Sequence, residues 1–248
     1  ATAATAIDPA TANTNATKSQ ADTIADFAKA VTYNINDTAA NISGGTDTGR
    51  DEAVDIVATT SASISQATTI DGASNSGSNT YNIEDTAAAI AGSTNAFLAK
   101  AGTVTVTGTA NKDQANTIGA NDKAVVYNIS DTAENIAAAN ATGRNEAINI
   151  SATTAATVAE ATIIDNSTNS GSNTYNITDN ATNIAASSSD FLAKAGSVSV
   201  TGTVDKAQAN TIGGFAKAVT YNISDTATNI AALNRSSLHE AVKISATS

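Results

Sequence analysis

The stretch "TYNITDNATNIAA" at 174–186 recurs as "TYNINDTAANI" (32–42), "TYNIEDTAAAI" (80–90), "VYNISDTAENI" (126–136) and "TYNISDTATNI" (220–230). All five tyrosines of the chain, Tyr33, Tyr81, Tyr127, Tyr175 and Tyr221, lie inside these copies. They are spaced 48, 46, 48 and 46 residues apart, so every second one is 94 away. One site does not need five copies, whereas a structure that grows by stacking does.

The 94-residue period is visible elsewhere. "FLAKAGTVTVTGTANKDQANTIG" (97–119) returns as "FLAKAGSVSVTGTVDKAQANTIG" (191–213), and "TGRDEAVDI" (48–56) as "TGRNEAINI" (142–150). Cutting before each strand-like run gives coils 53–79, 80–100, 101–123 and 124–146, then 147–173, 174–194, 195–217 and 218–240. Coil 30–52 precedes them and 241–248 begins another. Residues 1–29 read as a degenerate or capping first coil, with "PATANTNAT" and the single proline, Pro9, in place of a strand.

Within a coil the first signal is alternation. Val31, Tyr33 and Ile35 are predicted to face inward, with Thr32, Asn34 and Asn36 outward, because period two with β-branched residues means a strand. A short Ala/Ile-spaced run such as "AENIAA" follows and is predicted to be a helix, with Asp131 as its N-cap. A polar Gly/Ser/Asn turn closes the coil. The expected fold is therefore α/β: a right-handed solenoid of about ten strand-plus-short-helix coils of about 23 residues, with a parallel sheet on one face. Residues 30–248 would form it continuously. Copies stacked at about 4.8 Å would bury each strand face, pair each backbone edge and set identical residues in columns.

Composition fits a thin core. Hydrophobic residues make up 41% of the 248-residue chain, mostly alanine, and aromatics only 4%. The net charge of −11 makes nucleic acid a poor partner, since phosphates repel an acidic surface. With no cysteine there are no disulfides, thiolate metal sites or Cys catalysis. No apolar run reaches the roughly 20 residues of a membrane helix, so no membrane insertion is expected. The chain begins with Ala and carries no signal peptide, so it reads as a piece of something longer.

The most regular polar feature is the carboxylate set Asp37, Asp85, Asp131, Asp179 and Asp225. Its members recur every second coil, roughly 9–10 Å apart at the strand spacing, too far for two to share one ion. Helix capping is the expected role. Calcium is left open as a partner, but no nonapeptide calcium-roll motif indicates it. His239, the single histidine, has no paired metal ligand or Ser-centred motif. No phosphate loop occurs. Eleven Asn-x-Ser/Thr triplets do. Coil ends run Lys29, Glu52, Asn79, Lys100, Lys123, Glu146, Asn173, Lys194, Lys217, Glu240, and predict Lys–Glu neighbours such as Lys123 with Glu146.

"YNISDTAxNIAA" together with "VTVTGT…QANTI" resembles the Ala/Thr/Asn/Asp-rich repeat tracts of giant secreted bacterial cell-surface proteins, including those of marine cyanobacteria and RTX-type adhesins. The resemblance spans residues 30–248. It implies type I secretion, a cell-surface location, and a role as spacer, stalk, filament or coat whose partners are neighbouring repeats or copies of itself. The residues themselves give no catalytic site and no cofactor, so no enzyme is expected. The alternative is a binding module for ice or carbohydrate that uses an outward Thr/Asn face, for which Thr103, Thr105 and Thr107 form the clearest row.

Overall fold

The computed structural model describes residues 15–27 and 30–247. The fold is mixed α/β: short parallel strands alternate with short helices, and among the described residues no sheet closes into a barrel. Contacts divide the chain into two units, Ala1–Gly108 with Asn121–Val126, and Thr109–Ala120 with Tyr127–Ser248. Pro9 and Lys29 lie outside the described residues.

The first unit holds two parallel sheets. One is built from Asn15–Ala16, Asn34–Asp37, Ile56–Ala58 and Asn79–Thr80; the other from Ile83–Thr86, Val104–Thr107 and Val125–Val126. Each strand pairs with the next in sequence: Asn15 lies beside Asn34, Ile35 beside Ile56, Ile56 beside Asn79, and Ile83 beside Val104. Steps of about twenty residues between parallel neighbours leave room for only a short helical return. Asn15–Ala16 is a strand although it falls in the segment from which the sequence reading removed one.

The second unit repeats this plan. Ile129–Asp131, Ile150–Ala152 and Asn173–Thr174 form one sheet; Ile177–Asn180, Val198–Val204, Val219–Thr226 and Ala241–Thr247 form the other. In the strand Val198–Val204 the register shifts between Ser199 and Thr203, where Gly202 takes a positive φ of 80° that glycine alone adopts freely.

Each unit thus carries two sheets where the sequence predicts one. The break falls at the Tyr-Asn pair. Tyr81-Asn82 separates Asn79–Thr80 from Ile83–Thr86, and Tyr175-Asn176 separates Asn173–Thr174 from Ile177–Asn180. At the first break the asparagine side chain replaces a ladder bond, Asn82 Oδ1 accepting the Thr103 amide at 2.9 Å; at the second, Asn176 Oδ1 accepts the Ser197 hydroxyl at 2.9 Å. Asn34 Oδ1 likewise accepts the Asp55 amide. This corrects the face assignment: Asn34 is buried rather than outward, and Val31 is 41% exposed rather than inward. Tyr33 and Ile35 are buried as expected.

The returns are of two kinds, not one. Coils without tyrosine carry a single helix, such as Ile64–Asp71, Lys112–Ile118, Val158–Asp165 or Lys206–Ile212. Each begins with a capping box, as in Asn111 with Gln114 and Thr157 with Glu160, which satisfies two backbone amides reciprocally. Tyrosine coils carry two shorter helices, such as Ala39–Gly44 then Asp47–Asp51, or Ala133–Ala138 then Ala141–Asn145. A helix of five or six residues is unstable alone, so packing must hold it. Ile42, Ile90, Ile136 and Ile184 supply that packing, and each is fully buried. Burying one such side chain contributes about 1.5–3 kcal/mol.

Candidate functional site

The five aspartates are not the N-caps of the helices that follow them. That place belongs to the next residue, Thr38, Thr86, Thr132, Asn180 or Thr226, whose side chain accepts the amide three residues on. Each aspartate instead reaches back to the preceding coil. Its Oδ2 accepts the first backbone amide of that coil's helix: Lys18 for Asp37, Ile64 for Asp85, Lys112 for Asp131, Val158 for Asp179 and Lys206 for Asp225, all at 2.9 Å. Oδ1 accepts the amide of its own following residue at 2.7–2.8 Å. In four of the five, an asparagine four residues on, Asn41, Asn135, Asn183 or Asn229, adds its Nδ2.

A helix start leaves several amides without an intrahelical partner and carries a partial positive charge. The capping box and the downstream aspartate together answer both. For Asp37, Asp131 and Asp225 these hydrogen bonds lower the pKa. For Asp131 burial pushes the carboxyl up, but hydrogen bonds from Asn135, Lys112 and Thr132 outweigh it. Asp37 follows the same balance, with burial opposed by Lys18, Asn41 and Thr38. Asp225 is lowered by Asn229 first, then by Lys206 and Thr226.

The tyrosines are all buried, and their hydroxyls divide into two sets that alternate along the chain. Tyr33, Tyr127 and Tyr221 donate to the carbonyls of Gly49, Gly143 and Ser237, at 2.9, 2.6 and 3.0 Å. Tyr81 and Tyr175 donate to Asp71 and Asp165 at 3.4 and 3.3 Å. Those carboxylates also hold Lys100 and Lys194, at 2.7 and 2.8 Å. Burial, then the charge of Glu52 and Asp22, pushes Tyr33 up to about 12. Burial and Asp71 do the same for Tyr81, and burial and Glu240 for Tyr221, each to about 12.

Two further side chains were missed at the sequence level. Arg50 is buried and donates to the Ile42 and Gly45 carbonyls at 2.8 and 2.9 Å, closing the helix Ala39–Gly44. Arg144 closes Ala133–Ala138 in the same way, through the carbonyls of Ile136, Ala137 and Ala139. Beside each arginine sits a glycine in close approach: a Cβ on Gly143 would lie 2.8 Å from the Ala115 carbonyl oxygen. The signal was in the repeated "TGR", which the sequence reading used only to measure the period.

The Lys–Glu column is corrected. Lys100 and Lys194 pair with aspartates, and Lys123 and Lys217 donate to the carbonyls of Gly102 and Gly196 at 2.8 and 2.9 Å. Among the described residues none of these four lysines bonds to a glutamate; their acceptors are aspartates or main-chain carbonyls. Thr103 and Thr107 are exposed and Thr105 half-buried, so the row lies at the surface. His239 is exposed in the last turn of Arg235–Glu240, beside an open hollow lined by Arg235, Leu238 and Glu240.

Among the described residues, no group of three or more His, Cys, Asp or Glu is placed to hold a metal ion, and no helix is long and apolar enough to cross a membrane. No protein-family model, no curated protein and no solved structure matches this chain.

Proposed function

We propose that the chain is a non-catalytic structural segment: a right-handed solenoid of about ten coils that acts as spacer, stalk, filament or coat outside the cell. The observation that carries this reading is the Asp bridge. Five aspartates, at equivalent positions in both units, each tie a helix start in one coil to the strand end of the next at the same 2.9 Å. The polar columns are consumed in holding neighbouring turns together. A carboxylate that accepts three donors, two of them main-chain amides, is spent on structure and poorly placed for acid–base work. Steps of 19–23 residues between paired strands favour a stack in which each turn touches mainly its neighbours. The likeness of the repeats to tracts of secreted bacterial surface proteins supports the location.

Small-angle scattering of the whole chain tests the architecture. The expected result is an elongated particle whose length shortens in proportion when residues 53–146 are excised. A compact, near-spherical particle, or loss of folding on that excision, overturns the reading. Surface labelling of the producing cells with an antibody tests the location.

A further inference from the structure

The chain holds eleven Asn-x-Ser/Thr triplets, and the fold treats them unequally. Such triplets accept N-linked glycans in exposed loops, so the best placed are those whose asparagine amide and third-position hydroxyl are exposed, outside strands and not already used by the fold. Most are engaged. Asn128 Oδ1 accepts from Asn149, Asn149 Oδ1 from Ser172, and Asn176 Oδ1 from Ser197. Asn180 caps a helix, and Asn41 donates to Asp37. Thr17 and Thr38, the third positions after Asn15 and Asn36, are themselves helix caps. Asn222 is half-buried in mid-strand, paired on both sides with Thr203 and Lys243.

Three triplets remain. Asn140 and Asn234 are N-caps whose side chains make no capping bond, and Asn166 is the C-cap of Val158–Asp165. All three are exposed, as are the hydroxyl residues Thr142, Ser236 and Thr168 that complete their triplets. Among the described residues, none of these six side chains makes a hydrogen bond. Asn140 and Asn234 occupy the same position in successive 94-residue repeats. At the preceding copy stands Thr46, which is no acceptor and whose hydroxyl already donates to Asp22 at 2.5 Å.

We propose that Asn140, Asn166 and Asn234 are acceptor sites for N-linked glycans. The donor is an oligosaccharide on a lipid pyrophosphate. The asparagine Nδ2 attacks C1 of the first sugar, and the bond from C1 to the pyrophosphate oxygen breaks. An amide proton passes to a base, and lipid pyrophosphate leaves. No oxidant or reductant is needed. Because no hydrogen bond among the described residues uses these side-chain amides, a glycan at any of them displaces none. The proposal rests on the extracellular reading, and on export through the compartment that holds the lipid-linked donor rather than by the direct type I route.

The test is glycopeptide mass spectrometry on the full chain from its producing cells, with surface and internal fractions kept apart. Enzymatic glycan release in heavy-oxygen water converts each occupied asparagine to labelled aspartate. The expected result is label at positions 140, 166 and 234 and none at 128, 149, 176 or 180. Unmodified asparagine at all three, in whichever fraction holds the chain, overturns the proposal, and so does label confined to the engaged set. A chain found only inside the cell overturns the surface reading and leaves the glycopeptide result to decide the sites. The triple variant N140Q/N166Q/N234Q is expected to lose the entire glycan mass while melting as the wild-type chain does once the latter is deglycosylated. Retention of the glycan mass in that variant counts against the proposal.

Discussion

Asp131 accepts the backbone amide of Lys112, nineteen residues before it, and so completes a helix start that belongs to the previous turn of the chain. The same carboxylate also takes the amides of Thr132 and Asn135. One side chain therefore fixes two helices and the step between two strands.

Asp131→Ala removes an acceptor from three donors at once. The expected loss is on the order of 2–3 kcal/mol, since hydrogen bonds to charged groups contribute more than neutral ones. Thr132→Ala, which removes only the local cap, is expected to cost about 1 kcal/mol. Urea denaturation of the two variants measures both. Equal losses would show that the bridge to Lys112 adds nothing.

Tyr127→Phe leaves the Gly143 carbonyl without its 2.6 Å donor in a buried setting. A loss of about 1–2 kcal/mol is expected. Tyr81→Phe removes a longer contact, 3.4 Å, to a carboxylate that keeps Lys100, so it is expected to cost less than half as much. Thermal melts of both variants would reveal the alternation, and identical shifts would deny it.

Stability is expected to fall at both ends of the pH scale. Asp37, Asp131 and Asp225 have lowered folded pKa values, so their contribution is present above the unfolded value of about 3.9 and is lost as pH falls through the folded values. Tyr33, Tyr81 and Tyr221 are raised to about 12. Their contribution is present below the unfolded value of about 10 and is lost as pH rises from there toward 12. A melting-temperature profile should be flat from about pH 5 to 9 and drop on both sides. A loss on one side only would mean that either the aspartate hydrogen bonds or the tyrosine burial does not act as described.

Gly143→Ala drives a Cβ to 2.8 Å from the Ala115 carbonyl oxygen, a main-chain atom that cannot swing away. The expected loss is about 1–3 kcal/mol, the range of overpacked cores. Gly108→Ala meets open space, so only its φ of 78° opposes the change, at about 1–2 kcal/mol. The two differ in kind: Ser at 143 should cost less than Ala, because Ser237 fills the equivalent place by donating its hydroxyl to the Ala209 carbonyl at 2.9 Å. Circular-dichroism melts of the 143 and 108 variants test the distinction.

Much of the element order could be read from the sequence, because the residues that recur are the ones that pack. Tyr33, Ile35 and their counterparts were recognisable as inward by their alternation. The sheet break was not, since Thr-Tyr-Asn-Ile reads the same at 80–83 and 174–177, where the strand is interrupted, as at 220–223, where Val219–Thr226 runs on unbroken. The capping boxes were present as Asn111-x-x-Gln114 and Thr157-x-x-Glu160 but do not stand out where Asn, Thr and Gln are common. The aspartates were recognised as caps and given the wrong helix, because a sequence displays neighbours along the chain and the acceptor serves a helix start nineteen to twenty-one residues before it. Asp71 and Asp165 were unreadable as tyrosine partners for the same reason.

The backward reach of the aspartates gives the chain a direction in time. A ribosome delivers Lys112 before Asp131, so each single-helix turn leaves the exit tunnel with its first amide unanswered and waits for nineteen to twenty-one more residues to close it. In a chain that folded in this order, only the newest turn would still lack its cap. Folding that proceeds this way never exposes more than a short length of unfinished surface, which suits a sequence so repetitive that any of its turns could otherwise be mistaken for another.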